Sequence, residues 1–278
     1  LTYLRNTQGY VSGDHMSSSM GISRTAIWKY INHLEQLGYT ISKLKGKGYR
    51  LEASPDKLYP WEIEQHLQTG VIGKKVIYKD MVDSTNSHAF KLALGGEPEG
   101  TCIIAETQMM GKGRLGRKWF SPVGKNLYIS VVLRPFIPPA SVYPITFLSS
   151  LAVYDTIQSV TGIEPTLKWP NDVLVNRKKV CGILVESSWT GAQAGAVVLG
   201  IGLNTSRGSV PPPDEQRFPA SSLEEELGAP VDRLQTLTLL LNALHTWRPR
   251  FGTPEFFHSW QQKLAFVGET VRIEHSEK

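Results

Sequence analysis

The chain has 278 residues, 41% of them hydrophobic and 20% charged, with a formal net charge of +5; that length suggests about two domains with enough apolar material for a sizeable core. No apolar run approaches the roughly 20 residues needed to cross a bilayer, and the first residues lack a signal-peptide core. Two cysteines, Cys102 and Cys181, make no disulfide framework, and seven scattered histidines form no metal-spaced cluster, so the expectation is a reduced, cytoplasmic protein with no membrane association and no intrinsic metal site.

The charge is uneven. Residues 1–54 carry seven Lys/Arg against three acids, a local +4, while the other 224 residues carry only +1. A small basic module thus precedes a near-neutral body, as a nucleic-acid-binding appendage would. The pattern predicts a helix over Gly13–Met20, a Gly21-Ile22 turn, and a second helix with Ser23 as its N-cap. In RTAIWKYINHLEQLGY, the residues Ala26, Ile27, Tyr30, Ile31, Leu34 and Leu37 keep helical spacing and are expected to pack inward. Arg24, Thr25, Trp28, Lys29 and Asn32 lie opposite, and Gly38 is the stop. ISKLKGKGYRL, Ile41 to Leu51, reads as a two-stranded wing with Lys45-Gly46-Lys47-Gly48 at its tip. A recognition helix presents its N-terminal half to the major groove, so Arg24, Thr25, Trp28 and Lys29, with Lys45 and Lys47 of the wing, are the candidate DNA contacts. The plainer alternative is a small helical domain with a solvated basic loop. ASPDK, Ala53 to Lys57, reads as a linker.

From Val71 onward, short apolar strands alternate with helices. The expected order is a strand across Val71–Val82, a helix cap at DSTN (Asp83–Asn86) leading into His88–Leu94, strands at Thr101–Thr107 and Leu127–Arg134, and an apolar helix over Val142–Val160. LKW, DVLV, KVCGILVES and AGAVVLGIGLN follow, all short and β-rich. This predicts one mixed α/β domain with a sizeable sheet, and α+β for the chain. Ser206–Leu223 is a Pro-rich loop with Ser221-Ser222 capping the next helix; Val231–Phe251 and Pro254–Phe266 read as packing helices that bury Trp247 and Trp260.

Four segments carry polar chemistry. Asp83-Ser84-Thr85-Asn86, at a strand-to-helix junction, can fix a polar ligand group or serve as an ordinary N-cap. GKGRLGRKWFSP, Gly111 to Pro122, preceded by Gln108, packs three glycines and four cations into its first eight positions. It fits neither the Walker A pattern nor the dinucleotide fingerprint, so phosphate, nucleic acid and a plain basic turn all stay open. KWPNDVLVNRKKVCGILVE, Lys168 to Glu186, reads as a hairpin ending in a buried strand that Lys179 opens. A buried ammonium requires an anion, which a phosphate or ligand carboxylate would supply; Lys168 and Asp172 could equally form a structural ion pair. Gly200-Ile201-Gly202-Leu203-Asn204 closes an apolar strand with flexible backbone and one amide.

These four segments, in this order, resemble biotin–protein ligases, and the N-terminal module resembles the winged helix of the bifunctional subgroup that doubles as the biotin operon repressor. The resemblance implies a winged helix-turn-helix domain over 1–54 and a ligase catalytic domain over 58–266, resembling that of class II aminoacyl-tRNA synthetases. It also implies the beginning of a truncated small C-terminal β-barrel over 267–278; the chain starts without Met and stops inside a strand-like TVRIEH, and reads as cut at both ends. The implied activity joins biotin to ATP as biotinyl-5′-adenylate, with Mg²⁺ accompanying ATP, and passes the acyl group to a lysine of a biotin carboxyl carrier domain of acetyl-CoA carboxylase or another biotin-dependent carboxylase. Operator DNA, bound as a homodimer, is the second implied partner.

By resemblance, Lys179 and Arg114 are the catalytic cations. Ser84, Thr85, Asn86, Gln108, Gly113, Arg114, Lys179 and Gly182 would bind biotin. Gly111, Lys112, Gly113, Arg114, Gly116, Trp119, Asn171, Asp172 and Asn204 would bind ATP or the adenylate, with Asp172 a candidate Mg²⁺ ligand. Lys112 stands where the family usually has Arg, giving point charge without the bidentate fork, and Leu115 occupies a position that is often basic. A lipoate–protein ligase and a DNA-binding biotin sensor without ligase activity are the alternatives.

Overall fold

The structure, a computed structural model, describes residues 1–134, 142–190 and 193–271. The chain divides into two compact units, Leu1–Lys57 and Leu58–Lys278.

The first unit contains α1 (Thr2–Arg5), α2 (Gly13–Met20), α3 (Arg24–Gln36) and the antiparallel pair β1 (Thr40–Leu44) and β2 (Gly48–Ala53). Ser12 caps α2 through His15 N at 3.1 Å, and Gly21 ends it in the left-handed conformation. Ser23 then caps α3 through Ala26 N at 3.2 Å. Each such cap satisfies an orphan amide and contributes roughly 1 kcal/mol. Leu4, Val11, Met16, Ile27, Ile31, Tyr39 and Ile41 are the buried apolar residues. Tyr30 differs from expectation: it is 59% exposed. In so small a unit the buried stripe of α3 narrows to Ile27 and Ile31, and Tyr30 falls off its edge. Arg24, Thr25, Trp28 and Lys29 are exposed along α3, as are Lys45 and Lys47 in the β1–β2 turn.

The second unit begins with α4 (Pro60–Glu64), β3 (Lys75–Lys79), α5 (Thr85–Leu94), β4 (Thr101–Ala105), β5 (Asn126–Leu133) and α6 (Ile145–Thr161). It continues with β6 (Thr166–Lys168), β7 (Asp172–Val175), β8 (Lys178–Thr190), β9 (Gln193–Asn204), α7 (Leu223–Leu227), α8 (Arg233–Trp247) and α9 (Pro254–Gln262). The seven strands form one mixed sheet in the order β3-β4-β5-β9-β8-β7-β6. Only β3 and β4 pair in parallel, since α5 provides the crossover that a parallel pair needs. The β7–β8 turn is tight because Asn176 and Arg177 both take positive φ (49° and 63°), the geometry of a twisted two-residue hairpin.

Strand alternation assigns the two faces of the sheet. Leu199, Ile201 and Leu203 of β9 join Ile129, Val131 and Ile183 in the large core beneath α6 and α8. On the other face Val198 packs with Ala89 and Ala93 of α5, and Gly200 and Gly202 leave the rest of that face open. The strand expected over Val71–Val82 is only Lys75–Lys79, preceded by turns. Trp247 is buried, and Trp260 stacks on Phe147 with ring centroids 4.0 Å apart. The last helix stops at Gln262, and Leu264 instead bridges to Leu167 at the sheet edge. Residues 267–271 form no strand, and the rest of the segment expected to begin a barrel, 272–278, lies outside the described residues.

Candidate active site

The open side of β8 and β9 forms the floor of a cleft of about 140 Å³. Ser84, Thr85, Asn86, Gln108, Lys112, Gly113, Arg114, Trp119, Asn171, Asp172, Lys179 and Gly182 all line it. Gly111, Gly116 and Asn204 do not. Gly111 stands at the base of the adjoining loop, and Gly116 takes positive φ (70°) at its tip. Asn204 is buried, donating to Ser221 O at 3.1 Å and accepting from Asn126 Nδ2 at 3.3 Å, so its amide is structural.

The polar wall starts at the head of α5. Ser84 is the ordinary N-cap that its motif allowed, its Oγ accepting weakly from Ser87 N at 3.5 Å. Beyond it a chain of small groups runs around the cleft. Gln108 Oε1 accepts from Thr85 N at 2.8 Å and from Thr85 Oγ1 at 3.1 Å. Gln108 Nε2 donates to Ser121 Oγ at 3.1 Å. Ser130 Oγ donates to Asn86 Oδ1 at 2.6 Å and lies 2.8 Å from Thr85 Oγ1. Asn86 Nδ2 donates to Glu186 Oε2 at 2.8 Å. Every one of these groups is neutral except Glu186, and the network fixes which end of each amide faces which partner.

The cationic corner depends on a bulge. In register, Asp172 pairs with Gly182 and Val173 with Cys181, but Leu174 pairs with Lys179, so Val180 is an extra residue in β8. Simple alternation would turn Lys179 to the core side with Cys181 and Ile183; the bulge re-aims it to the cleft side. There Lys179 Nζ meets Asp172 Oδ1 at 2.7 Å and lies 5.2 Å from the Trp119 ring centroid. The anion that sequence reasoning assigned to a ligand is therefore already supplied by the chain. Asp172 Oδ2 also faces Lys168 Nζ at 3.5 Å, so the structural pair is present too. Both Asp172 oxygens thus face ammonium groups, although Oδ1 is buried without a well-aligned hydrogen bond, and among the described residues no group of three His, Cys, Asp or Glu is placed to hold a metal ion.

The segment Gly111–Trp119 folds as a miniature hairpin over the cleft. Gly113 N donates to Arg117 O at 2.7 Å and Trp119 N to Gly111 O at 2.8 Å, with Lys112 bridged to Lys118. Leu115 takes positive φ (58°) at the tip and is 80% exposed, so it has no inward contact. Arg114 reaches Asn171, whose Oδ1 accepts from Nη1 at 3.3 Å, while Asn171 Nδ2 donates to Ile183 O at 2.8 Å. Asn171 thereby holds Arg114 to the sheet. Trp119 lies flat on the glycine floor, where a Cβ at Gly182 would come within 2.7 Å of its ring.

Gly200, Gly202, Arg117, Lys118 and Glu186 lie in the segments singled out from the sequence but were assigned no ligand contact there, and Ser130 lies outside those segments. Two signals were available: glycines spaced by two within a strand mark one emptied face, and a lone serine interrupts the apolar run LYISVVL. Gly200 serves Asn86, since a Cβ there would sit 2.0 Å from Asn86 Oδ1.

A winged helix-turn-helix unit together with a mixed-sheet unit carrying this cleft defines a two-function class of protein, part DNA reader and part acyl-activating ligase. Residues 1–50 match the HTH domain and residues 78–204 the Biotin/lipoate A/B protein ligase family. The chain belongs to that ligase family and, within it, to the bifunctional ligase/repressors. It is 39% identical over 232 residues to the bifunctional ligase/repressor BirA of Bacillus spizizenii, covering 84% of this chain and 71% of that protein. It is 29% identical over 266 residues to the BirA of Escherichia coli, covering 94% and 80%. A solved biotin protein ligase from Aquifex aeolicus in complex with biotin and ATP superposes with a TM-score of 0.61 at 32% identity, covering 70% of this chain and 81% of that one.

Proposed function

We propose that the chain is an ATP-dependent biotin–protein ligase that also represses transcription in response to biotin. The observation that carries this reading is the meeting, in one cleft, of neutral donor–acceptor groups (Thr85, Asn86, Gln108), braced from beneath by Ser130, with a cationic corner (Arg114, Lys179). A cyclic urea needs both donors and acceptors, and these groups supply them without charge. A carboxylate attacking a triphosphate needs positive charge at the reacting end. The dithiolane of lipoate makes no use of the neutral chain, which disfavours the lipoate alternative.

Chemically, a biotin carboxylate oxygen attacks the α-phosphorus of ATP, forming the acyl–phosphate bond and releasing pyrophosphate. A carrier lysine, as the free amine, then attacks the acyl carbon, forming the amide and releasing AMP. Holding two anions together is the main barrier, so positioning and preorganised charge do most of the catalysis. In this proposal Lys179 leaves Asp172 for the phosphoryl oxygens, and Arg114, held by Asn171, retains the adenylate under the hairpin. Charge-assisted contacts of this kind are worth roughly 1.5–3 kcal/mol each. Mg²⁺ would arrive on the phosphates of ATP.

The first unit would read operator DNA through Arg24, Thr25, Trp28 and Lys29 of α3, with Lys45 and Lys47 on phosphate. Paired half-sites would make the DNA-bound form a homodimer. Among the described residues no helix is long and apolar enough to cross a membrane, and both cysteines are free and buried, which supports a cytoplasmic setting. The test is transfer of labelled biotin, with ATP, to the lysine of a biotin carboxyl carrier domain. Binding of biotin and DNA without transfer would favour the sensor alternative, and transfer of lipoate alone would favour the lipoate ligase.

A further inference from the structure

Glu186 stands beside the cleft and links its floor to the hairpin. Its Oε2 accepts from Asn86 Nδ2 at 2.8 Å on the floor, and its Oε1 faces Lys112 Nζ of the hairpin at 3.7 Å. Asn86 in turn accepts from Ser130 at 2.6 Å, so the floor amide cannot rotate without breaking a buried contact. The hairpin is otherwise joined to the sheet through Arg114 on Asn171 and Trp119 beside Lys179. Those contacts lie at the phosphate end; the Lys112–Glu186 pair lies at the end where the neutral groups begin.

We propose that Glu186 is a positioning residue that latches the hairpin over the cleft by joining Lys112 to the floor amide of Asn86. This rests on the biotinyl-adenylate reading of the site. Asn86, fixed by Ser130 on one side and Leu184 O on the other, orients the Glu186 carboxylate, and the oriented carboxylate holds Lys112. The side chains of Glu186 and Lys112 are 32% and 46% exposed, so the pair is a modest, salt-screened one suited to a latch that must reopen for the acceptor lysine. A lysine suffices in this role because a single oxygen faces it, and a bidentate fork has no second partner there.

The experiment measures release of preformed biotinyl-adenylate from the full chain, by rapid dilution, for wild type, Glu186→Gln, Lys112→Ala and the double variant, together with their melting temperatures. Glu186→Gln keeps an acceptor for Asn86 and removes only the charge. Each single variant is expected to release the adenylate up to about fivefold faster, the size of a half-exposed ion pair. The double variant should be no faster than the singles. High salt should speed wild type towards the variants. Additive effects in the double variant, or a Glu186→Gln that releases at the wild-type rate, would overturn the latch. Failure of wild type to form any adenylate would overturn the ligase reading itself, a separate outcome.

Discussion

Trp119 and Gly202 share one space: a Cβ on Gly202 would lie 2.5 Å from Trp119 Cε2 and 2.7 Å from its Nε1. Gly202 pairs across the strands with Gly182, so the indole spans two adjacent strands that have been emptied beneath it. Neither glycine has positive φ; the need is for close approach, not for a special backbone conformation. Gly202→Ala should therefore lift Trp119 from the floor and misplace the hairpin. Over-packing of this kind costs roughly 1–3 kcal/mol, so adenylate formation should fall about tenfold to a hundredfold, with the melting temperature lowered by no more than about 10 °C. Unchanged rates would mean that the hairpin's position is set elsewhere.

Beneath the sheet, Arg233 and Glu106 form an ion pair at 3.0 Å with both side chains 1% exposed. Glu106 also accepts from Tyr78 OH at 3.2 Å, and Arg233 donates to Asn126 O at 3.3 Å. Removing one partner strands a buried charge, at a cost of roughly 3–5 kcal/mol. Arg233→Ala should lower the melting temperature by roughly 10 °C, while Arg233→Met with Glu106→Gln should recover part of it. Equal losses in the two variants would show that packing, not charge, is at stake.

Burial pushes the Cys102 thiol up to about 12 from an ordinary 9.0, and burial likewise raises Cys181. The folded protein holds these protons more tightly than the unfolded chain does. The sign follows: that stability is fully present below about pH 9 and is lost as pH rises towards 12. Alkylation at pH 8 should accordingly label both cysteines only under denaturing conditions. Cys102→Ala should flatten the alkaline limb of the stability curve, read as denaturant midpoint against pH. Rapid labelling of the native protein would contradict the buried placement.

On the DNA side, Lys45 and Lys47 are exposed at the wing turn and Trp28 is 54% exposed on α3. Replacing both lysines by Ala should weaken operator binding across all sequences and reduce the slope of log affinity against log salt by about 2. Trp28→Ala should instead reduce discrimination between operator and random DNA, with the slope kept. Gel-shift titrations over a range of salt separate the two. A lost slope with Trp28→Ala would place that side chain on the backbone rather than on bases.

Much of this was legible in the residues, and the reasons differ by element. Gly13–Met20 and Arg24–Gln36 were readable because caps and stops are local: Gly21 and Ser23 act within a few positions. The sheet's strands were readable as β-rich runs, and Ser84 as a cap. Tyr30 was misjudged because helical spacing gives a face but not its width, which the size of the unit determines. Lys179 was expected to meet a ligand anion, yet Asp172 pairs with it across the β7–β8 hairpin. The register shift that turns Lys179 towards Asp172 leaves no local mark in KKVCGIL. Glu186 was invisible for a similar reason, since its partners Asn86 and Lys112 come from distant segments.

In the proposed reaction the cleft activates biotin's carboxylate on ATP, and Lys179 serves the charge-building step. Biotin-dependent exchange of labelled pyrophosphate into ATP tests it most directly, run beside Lys179→Ala with biotin affinity measured in parallel. Exchange is expected with biotin, and a fall of about a hundredfold or more in the variant while biotin affinity changes only a few-fold. Exchange supported by lipoate but not biotin, or equal losses of rate and affinity in Lys179→Ala, would contradict it.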